Sequence, residues 1–445
     1  MKKRNVQKGE ITIESGTAIN QKERIATKNL KNGALMVLKN IPSLRTITIG
    51  IGVKVGSINE KEGEYGISHL IEHTVFKGTK SFSSSEIKRK IEKFGGIINA
   101  FTSEEYTLFE SKVPDFAARE SFDVLFELVN SPLFPEKEIE SEKKVVLEEI
   151  AMYEDDPAAL SEENLLKSIW GDTEYGRPIA GRAESVRKIT KDQIEAFFNN
   201  HYVAGNMIAV LIGNLSAIDL DYVEEKMVSI KSSKLQNLKL DPHPLDPVIK
   251  IVEKSDLNQA NGSIGIPSAP RGDKMSYALS VISTILGSGM SSILFDKLRE
   301  KLGLVYSISS SNQSHSFCGE FTINFSTSLQ NTGKALNEIK KVLNELPEEI
   351  SKQLEYGKKK VKGRLLMSTE STLATMYMIV DDYFTIGKIR EIDEISENID
   401  AVKEEDVMKA FERYMKRKWT LSFVGPRGLS KFFNKCEFVV NHNGN

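Results

Sequence analysis

The sequence predicts an α+β protein of two homologous halves, each a mostly antiparallel sheet packed with helices. Three observations predict it. Strands and helices come in blocks rather than in strict alternation, landmarks recur about 210 residues apart, and a polar, proline-rich stretch separates the two runs. Length agrees, since 445 residues exceed one ordinary core. Hydrophobic residues at 40% and charged residues at 27% are the balance of a globular chain. Sixty basic residues against 62 acidic ones leave a formal net charge of −2, so no overall field points to nucleic acid or an anionic membrane as partner. Two cysteines, Cys318 and Cys436, cannot build a disulfide framework and fit a reducing compartment. No apolar run approaches the roughly 20 residues of a membrane span. The N-terminal stretch 1–16 has basic residues with no apolar segment behind them, and Glu10 and Glu14 are unlike a mitochondrial transit peptide. The expected location is cytoplasmic.

Taken in order, Gly33–Leu38 and Thr46–Val55 read as strands, the second by its period-two alternation. A helix follows over about Gly66–Phe76 and stops at Gly78. Ser83 to Glu86 has the form of a helix cap, Ile87–Phe94 the helix, and Gly95-Gly96 its end. Ile97–Thr102 and Tyr106–Val113 form a strand pair, Phe116–Asn130 and Pro135–Tyr153 two helices, Thr190–Tyr202 another, and Met207–Ile212 a closing strand. Residues 1–230 thus make an N-terminal half, 231–247 the linker and 248–445 a C-terminal half. The second half repeats the outline: a strand at Ile249–Lys254, a helix at Lys274–Leu286, a turn at Gly287-Ser288-Gly289, a helix ending near Gly303, paired strands, further helices, and a last strand at Trp419–Val424. Tyr202 precedes Gly213 by 11 residues and Tyr414 precedes Gly425 by the same 11. With an offset of 208, the counterparts of His69, Glu72 and His73 are Tyr277, Ser280 and Val281, which hold no metal.

The chemistry concentrates in His69-Leu70-Ile71-Glu72-His73. On a helix the two imidazoles stand one turn apart on one face, a spacing that suits two nitrogen ligands on one zinc. Glu72 lies about 60° around the axis from His69 and about 100° from His73. It reaches a water held beside the metal without being a ligand, the place of a general acid–base. Alone, the pentapeptide is as compatible with two packed histidines. Its setting among Leu70, Ile71, Val75 and Phe76 makes all three polar side chains buried, and buried polar groups need partners. Helix Pro135–Tyr153 offers a third ligand. Glu142 and Glu149 are two turns apart on one face, among Ile139, Val145, Val146 and Met152, whereas Glu148 shares a side with Lys144. Glu149 is therefore the expected ligand and Glu142 the acceptor that orients a ligand histidine. The competing reading makes both ordinary surface acids.

His69-x-x-Glu72-His73, followed by Phe76-Lys77-Gly78-Thr79 and by Glu142 and Glu149, resembles the pitrilysin family of inverted-motif zinc metallopeptidases, closest to its mitochondrial-processing-peptidase-like branch. Seventy-five residues lie between His73 and Glu149, the family's interval. The resemblance covers most of the chain. Asn99-Ala100-Phe101-Thr102 resembles the family's substrate-binding edge strand, and Arg177-Pro178 with Gly181 a further family stretch. Arg299 to Tyr306 resembles its Arg…Tyr substrate-contacting element. It implies a clamshell around a peptide cleft, with one Zn²⁺ per chain held by His69, His73 and Glu149. Glu72 is then the catalytic base, Arg299 grips a substrate carbonyl, and Tyr306 donates to the oxyanion from the opposite half. The implied activity is endopeptidase hydrolysis of unfolded or presequence-like peptides, and the implied partner is a second copy or a related chain. The alternative is a non-catalytic binding or assembly subunit. His201, His243, His315 and His442 read as structural or solvated, and Lys358–Lys362 as a solvated helix face.

Overall fold

A computed structural model describes residues 24–233, 238–433 and 437–441. The N-terminal stretch 1–16, Cys436, His442 and part of the linker lie outside the described residues.

Alternating apolar residues set the first sheet. Its strands are β1 (Ile25–Asn29), β2 (Leu35–Asn40), β3 (Thr46–Val53), β4 (Ile97–Thr102), β5 (Thr107–Pro114) and β6 (Met207–Gly213), in the order β1-β2-β6-β3-β5-β4. The second sheet holds β7 (Ile249–Glu253), β8 (Gln259–Ser268), β9 (Ser307–Ser314), β10 (Gly319–Ser328) and β11 (Thr420–Gly425), in the order β7-β11-β8-β10-β9. Apart from β1 the two orders correspond strand for strand. In each sheet one matching pair is parallel, β2 with β6 and β7 with β11, and every other pair is antiparallel. The chain is thus two similar α+β halves, as its sequence predicts. β3 starts at Thr46 and β8 at Gln259, β6 at Met207 and β11 at Thr420, each pair 213 residues apart. β8 itself was not legible in the sequence: its Asn261-Gly262-Ser263 start hides the strand alternation.

The helices of the first half are α1 (Ile67–Val75), α2 (Ser84–Glu92), α3 (Ala118–Asn130), α4 (Glu136–Asp155), α5 (Pro157–Trp170), α6 (Ala183–Lys188), α7 (Lys191–His201) and α8 (Leu220–Ser229). Those of the second are α9 (Lys274–Gly287), α10 (Thr332–Ser368), α11 (Thr372–Ile386), α12 (Ile392–Asp400) and α13 (Glu404–Ala410). Period two decides which layer each sheet face meets. In β3, Ile47, Ile49 and Ile51 enter the main core of the first half, while Thr48, Gly50 and Gly52 face the other way.

That other face is covered by a helix from the second half. Met376, Ile379, Val380 and Phe384 of α11 are buried against Leu35, Val37, Leu108, Ile208, Val210 and Ile212. Gly50 is required there, since a Cβ would sit 2.3 Å from Met376 Sδ. Thr372 Oγ1 and Thr48 Oγ1 lie 2.7 Å apart, and the Tyr377 hydroxyl donates to Glu110. α5 does the converse: it lies on β8 and β11, and the Ser161 hydroxyl donates to Ser422 O at 3.0 Å. Each half therefore wears a helix of the other. Neither α5 nor its exchange was visible in the sequence, because periodicity shows an apolar stripe but not which sheet the stripe meets.

The β4–β5 and β9–β10 turns meet where the halves join. Glu105 accepts from Ser316 N (2.8 Å), Ser316 Oγ (2.6 Å) and the Tyr175 hydroxyl (2.6 Å). His315 is buried and its Nε2 lies 3.1 Å from Glu320 Oε1. Burial opposes its charge, but Glu320, with Glu104 and Glu105 beyond, raises it to about 9. Charged His315 thus stabilises the fold fully below about pH 6.5, its unfolded value, and that contribution fades as pH rises through about 9. The unfolding free energy from urea titration is expected to fall across this window with a slope of at most about 1.4 kcal/mol per pH unit. In His315→Gln the slope flattens, and an unchanged slope would refute the assignment.

Candidate metal centre

α1 begins at Gly66, whose φ is 93°. The buried Glu60 carboxylate accepts from Gly66 N (2.8 Å) and Ser68 N (2.9 Å), holding the helix start against its positive end. Burial pushes Glu60 up to about 7 although these N–H groups pull it back. A Cβ on Gly66 would lie 2.6 Å from Ala180 O, and one on Gly181 2.5 Å from Tyr65 O. These two glycines let the segment ending at Gly181 clamp the helix start.

From that anchor, Ile67, Leu70, Ile71 and Val75 enter the core. His69, Glu72 and His73 face the other way, into a cavity of about 620 Å³. Their side chains are largely buried in the cavity wall, His69 12% and His73 20% exposed, while the hydrophobic residues take the other side of α1. α4 brings Glu149. Its Oε2 lies 3.8 Å from His69 Nε2 and 3.6 Å from His73 Nε2. The three donor atoms lie within 4.8 Å of one another, and among the described residues no other group of three such side chains gathers this way. They are too far apart to hydrogen-bond. Their spacing is close to the roughly 3.4 Å edge of a tetrahedron with bonds of about 2.0–2.1 Å. Burial, with His73 beside it, lowers His69 to about 4, so at neutral pH it is the uncharged imidazole, the form able to bind a metal. Two imidazoles and one carboxylate are a donor set that would suit zinc.

Glu142 Oε2 lies 3.2 Å from His73 Nδ1, on the ring nitrogen opposite the donor set. Its other oxygen meets Lys77 Nζ at 2.6 Å. The Thr102 hydroxyl on β4 donates to Glu72 Oε2 at 2.8 Å. Burial pushes Glu72 up, the Thr102 hydroxyl and His73 pull it down, and Glu149 pushes it up again. Sequence reading missed Lys77 and the Thr102 contact. A signal for Lys77 existed in its position one turn beyond His73, whereas the Thr102 contact needs the fold of β4 over α1. The stripe on α4 also differs from the expected one. Ile139, Glu142, Lys143, Val146 and Ile150 are buried, while Val145 and Met152 are 47% and 61% exposed, because the buried face lies one residue around from the one drawn.

Ala100, Phe101 and Thr102 line the same cavity, whereas Asn99 is exposed and does not. β4 ends the first sheet, and among the described residues it pairs only with β5, leaving its outer edge without a strand. Arg299 and Tyr306 are not brought to the donor set. Both belong to the second half: the Arg299 guanidinium lies 4.6 Å from the Phe295 ring centre, and Tyr306 is 58% exposed just before β9. An offset of 213 places Ile282, Ile285 and Leu286 at the counterparts of His69, Glu72 and His73. At this strand offset all three are buried and apolar. Of the other histidines, the His243 side chain is 82% exposed, while His201 stacks on Phe197 at 4.4 Å. Lys358, expected in solvent, is buried and paired with Glu355 at 2.9 Å.

Fold and donor set together define a class: proteins of two similar α+β halves with three converging metal-type donors in a cavity wall of one half. Residues 35–183 match the family model described as insulinase (peptidase family M16), and residues 188–359 match that of the peptidase M16 inactive domain. The chain is 33% identical to an uncharacterized zinc protease, YmxG, of Bacillus subtilis over 401 residues, 89% of this chain and 97% of the relative. It is 30% identical to an uncharacterized zinc protease of Rickettsia felis over 415 residues, 92% of this chain and all of that one. Two solved structures share the fold. A peptidase M16 inactive domain from Pseudomonas fluorescens has a TM-score of 0.82 at 20% identity, covering 90% of this chain and 98% of its own. A protease from Helicobacter pylori has 0.81 at 22%, covering 91% and 100%. The chain belongs to peptidase family M16.

Proposed function

We propose that the chain is a zinc-dependent endopeptidase of the processing-peptidase-like branch, cutting unfolded or presequence-like peptides between its halves. The observation that carries this reading is the convergence of His69, His73 and Glu149 from two helices, with Glu72 beside them. Zinc bound there supplies Lewis-acid activation of a water and of the scissile carbonyl. Glu72, steadied by the Thr102 hydroxyl, takes a proton from the attacking water and returns it to the departing amine nitrogen. The peptide adds as a strand to the free edge of β4 beside Asn99, Ala100 and Phe101, which gives backbone affinity with modest sequence preference. Glu104, Glu154, Glu162 and Glu163 line the cavity against Arg177 and Arg182, an excess of negative charge that favours cationic segments.

Arg299 and Tyr306 act only after the second half approaches, Arg299 on a backbone carbonyl and Tyr306 on the oxyanion. Tyr306→Phe then lowers kcat more than it raises KM, and equal kcat in the two proteins would remove this role. We place the chain in the cytoplasm as a homodimer or paired with a related chain. Among the described residues no helix is long and apolar enough to cross a membrane. The test is elemental analysis joined to hydrolysis of a quenched cationic peptide. One zinc per chain is expected, with activity lost on chelation and restored by Zn²⁺, and both lost in His73→Ala. A purified chain that binds no zinc would sink the proposal.

A further inference from the structure

We infer that Lys77 is a positioning residue for the metal centre, fixing the ligand His73 through Glu142. The inference rests on the metal site proposed above and deepens it. Lys77 lies four residues after His73, one turn on, just past the end of α1 at Phe76. The two side chains therefore stand above one another on the side of α1 that meets α4. Between them comes Glu142 from α4, its two oxygens divided: Oε1 at 2.6 Å from Lys77 Nζ, Oε2 at 3.2 Å from His73 Nδ1. The Glu142 side chain is 7% exposed and Lys77 22%.

This geometry does two things. It holds the Glu142 carboxylate in one rotamer, so that its second oxygen faces His73 Nδ1 and turns Nε2 toward Glu149. A histidine ligand is oriented by what its other nitrogen meets. It also ties the end of α1 to α4, the two helices that supply all three donors, so the gap between imidazoles and Glu149 is set by a charged contact at 2.6 Å. Without the ammonium, Glu142 is a buried carboxylate whose one remaining partner is an imidazole. Such a group is costly and turns to find water. The His73 ring then loses its fixed direction.

The experiment measures zinc affinity directly, by competition with a chromophoric chelator, on the full-length metal-stripped protein. Lys77→Met is expected to weaken zinc binding by about 10–100-fold, the usual cost of losing a partner behind a ligand. Lys77→Arg, which keeps a donor to the carboxylate, recovers most of it. Circular dichroism of the metal-free proteins separates this from unfolding. Should Lys77→Met fold poorly, Lys77→Gln serves in its place, keeping the stem and one donor, with a loss expected between those of Arg and Met. Zinc affinity in folded Lys77→Met or Lys77→Gln equal to that of the wild type overturns the inference. Failure of the wild type to bind zinc overturns the metal site instead, so the two failures are distinct.

Discussion

Glu72→Gln is expected to abolish peptide hydrolysis while zinc binding persists. Glu72 is not one of the three converging donors, so its replacement leaves two imidazoles and a carboxylate in place. The amide still accepts from the Thr102 hydroxyl, which lies 2.8 Å from Glu72 Oε2, and its volume is nearly that of the acid. What disappears is a group able to take and return a proton. General acid–base catalysis contributes typically about 10²–10⁴-fold, and here one residue serves both transfers, so kcat should fall by at least about 10³-fold. Single-turnover cleavage of a quenched peptide and zinc analysis of the same sample check both halves of the statement. A kcat within tenfold of the wild type would remove Glu72 from the chemistry. Stoichiometric zinc with no Glu72-dependent cleavage in the wild type would favour the assembly-subunit reading.

What the sequence revealed and what it hid follow from range. The His69/Glu72/His73 spacing is a property of one helix, so 3.6 residues per turn suffices to read it. That Glu142 meets a histidine was legible because two acids two turns apart share a face, although the apolar stripe was drawn through Val145 and Met152, which are exposed, and missed Ile150, which is buried. Thr102 was placed on the right strand, but its bond to Glu72 depends on how β4 crosses α1, and no local pattern encodes that. The repeat was legible from two tyrosine–glycine intervals, while its exact register was not: strand starts lie 213 residues apart but the starts of α1 and α9 lie 207 apart, since loops of unequal length intervene. The exchange of α5 and α11 was hidden for the same reason. A stripe such as Met376, Ile379, Val380 and Phe384 declares that it will be buried, and is silent about the sheet that buries it.

That exchange leads to the other large effect. Cut within the linker at 231–247, the chain is expected to give two fragments that do not fold apart and do fold together. The first fragment lacks α11, so the face of Leu35, Val37, Leu108, Ile208, Val210 and Ile212 meets water. Met376, Ile379, Val380 and Phe384 are each no more than 1% exposed in the intact chain. Burying one such side chain is worth about 1.5–3 kcal/mol, so losing four removes on the order of 10 kcal/mol. That is the size of a domain's whole stability, about 5–15 kcal/mol. The second fragment suffers the reciprocal loss, since without α5 its β8 and β11 are uncovered, and in the first fragment Leu165 and Ile169 of α5 lose their buried setting. Expressed singly, each fragment should aggregate or bind a hydrophobic dye. Expressed together, they should co-purify as a one-to-one complex with the zinc content of the intact chain. In that chain, Ile379→Ala should cost about 2–5 kcal/mol by urea unfolding although it lies in the half without the metal. A first fragment that unfolds cooperatively alone, at the midpoint of the full chain, would show that α11 is a bystander. The metal centre stands on the sheet that α11 covers, so its geometry depends on both halves even where its donors come from one.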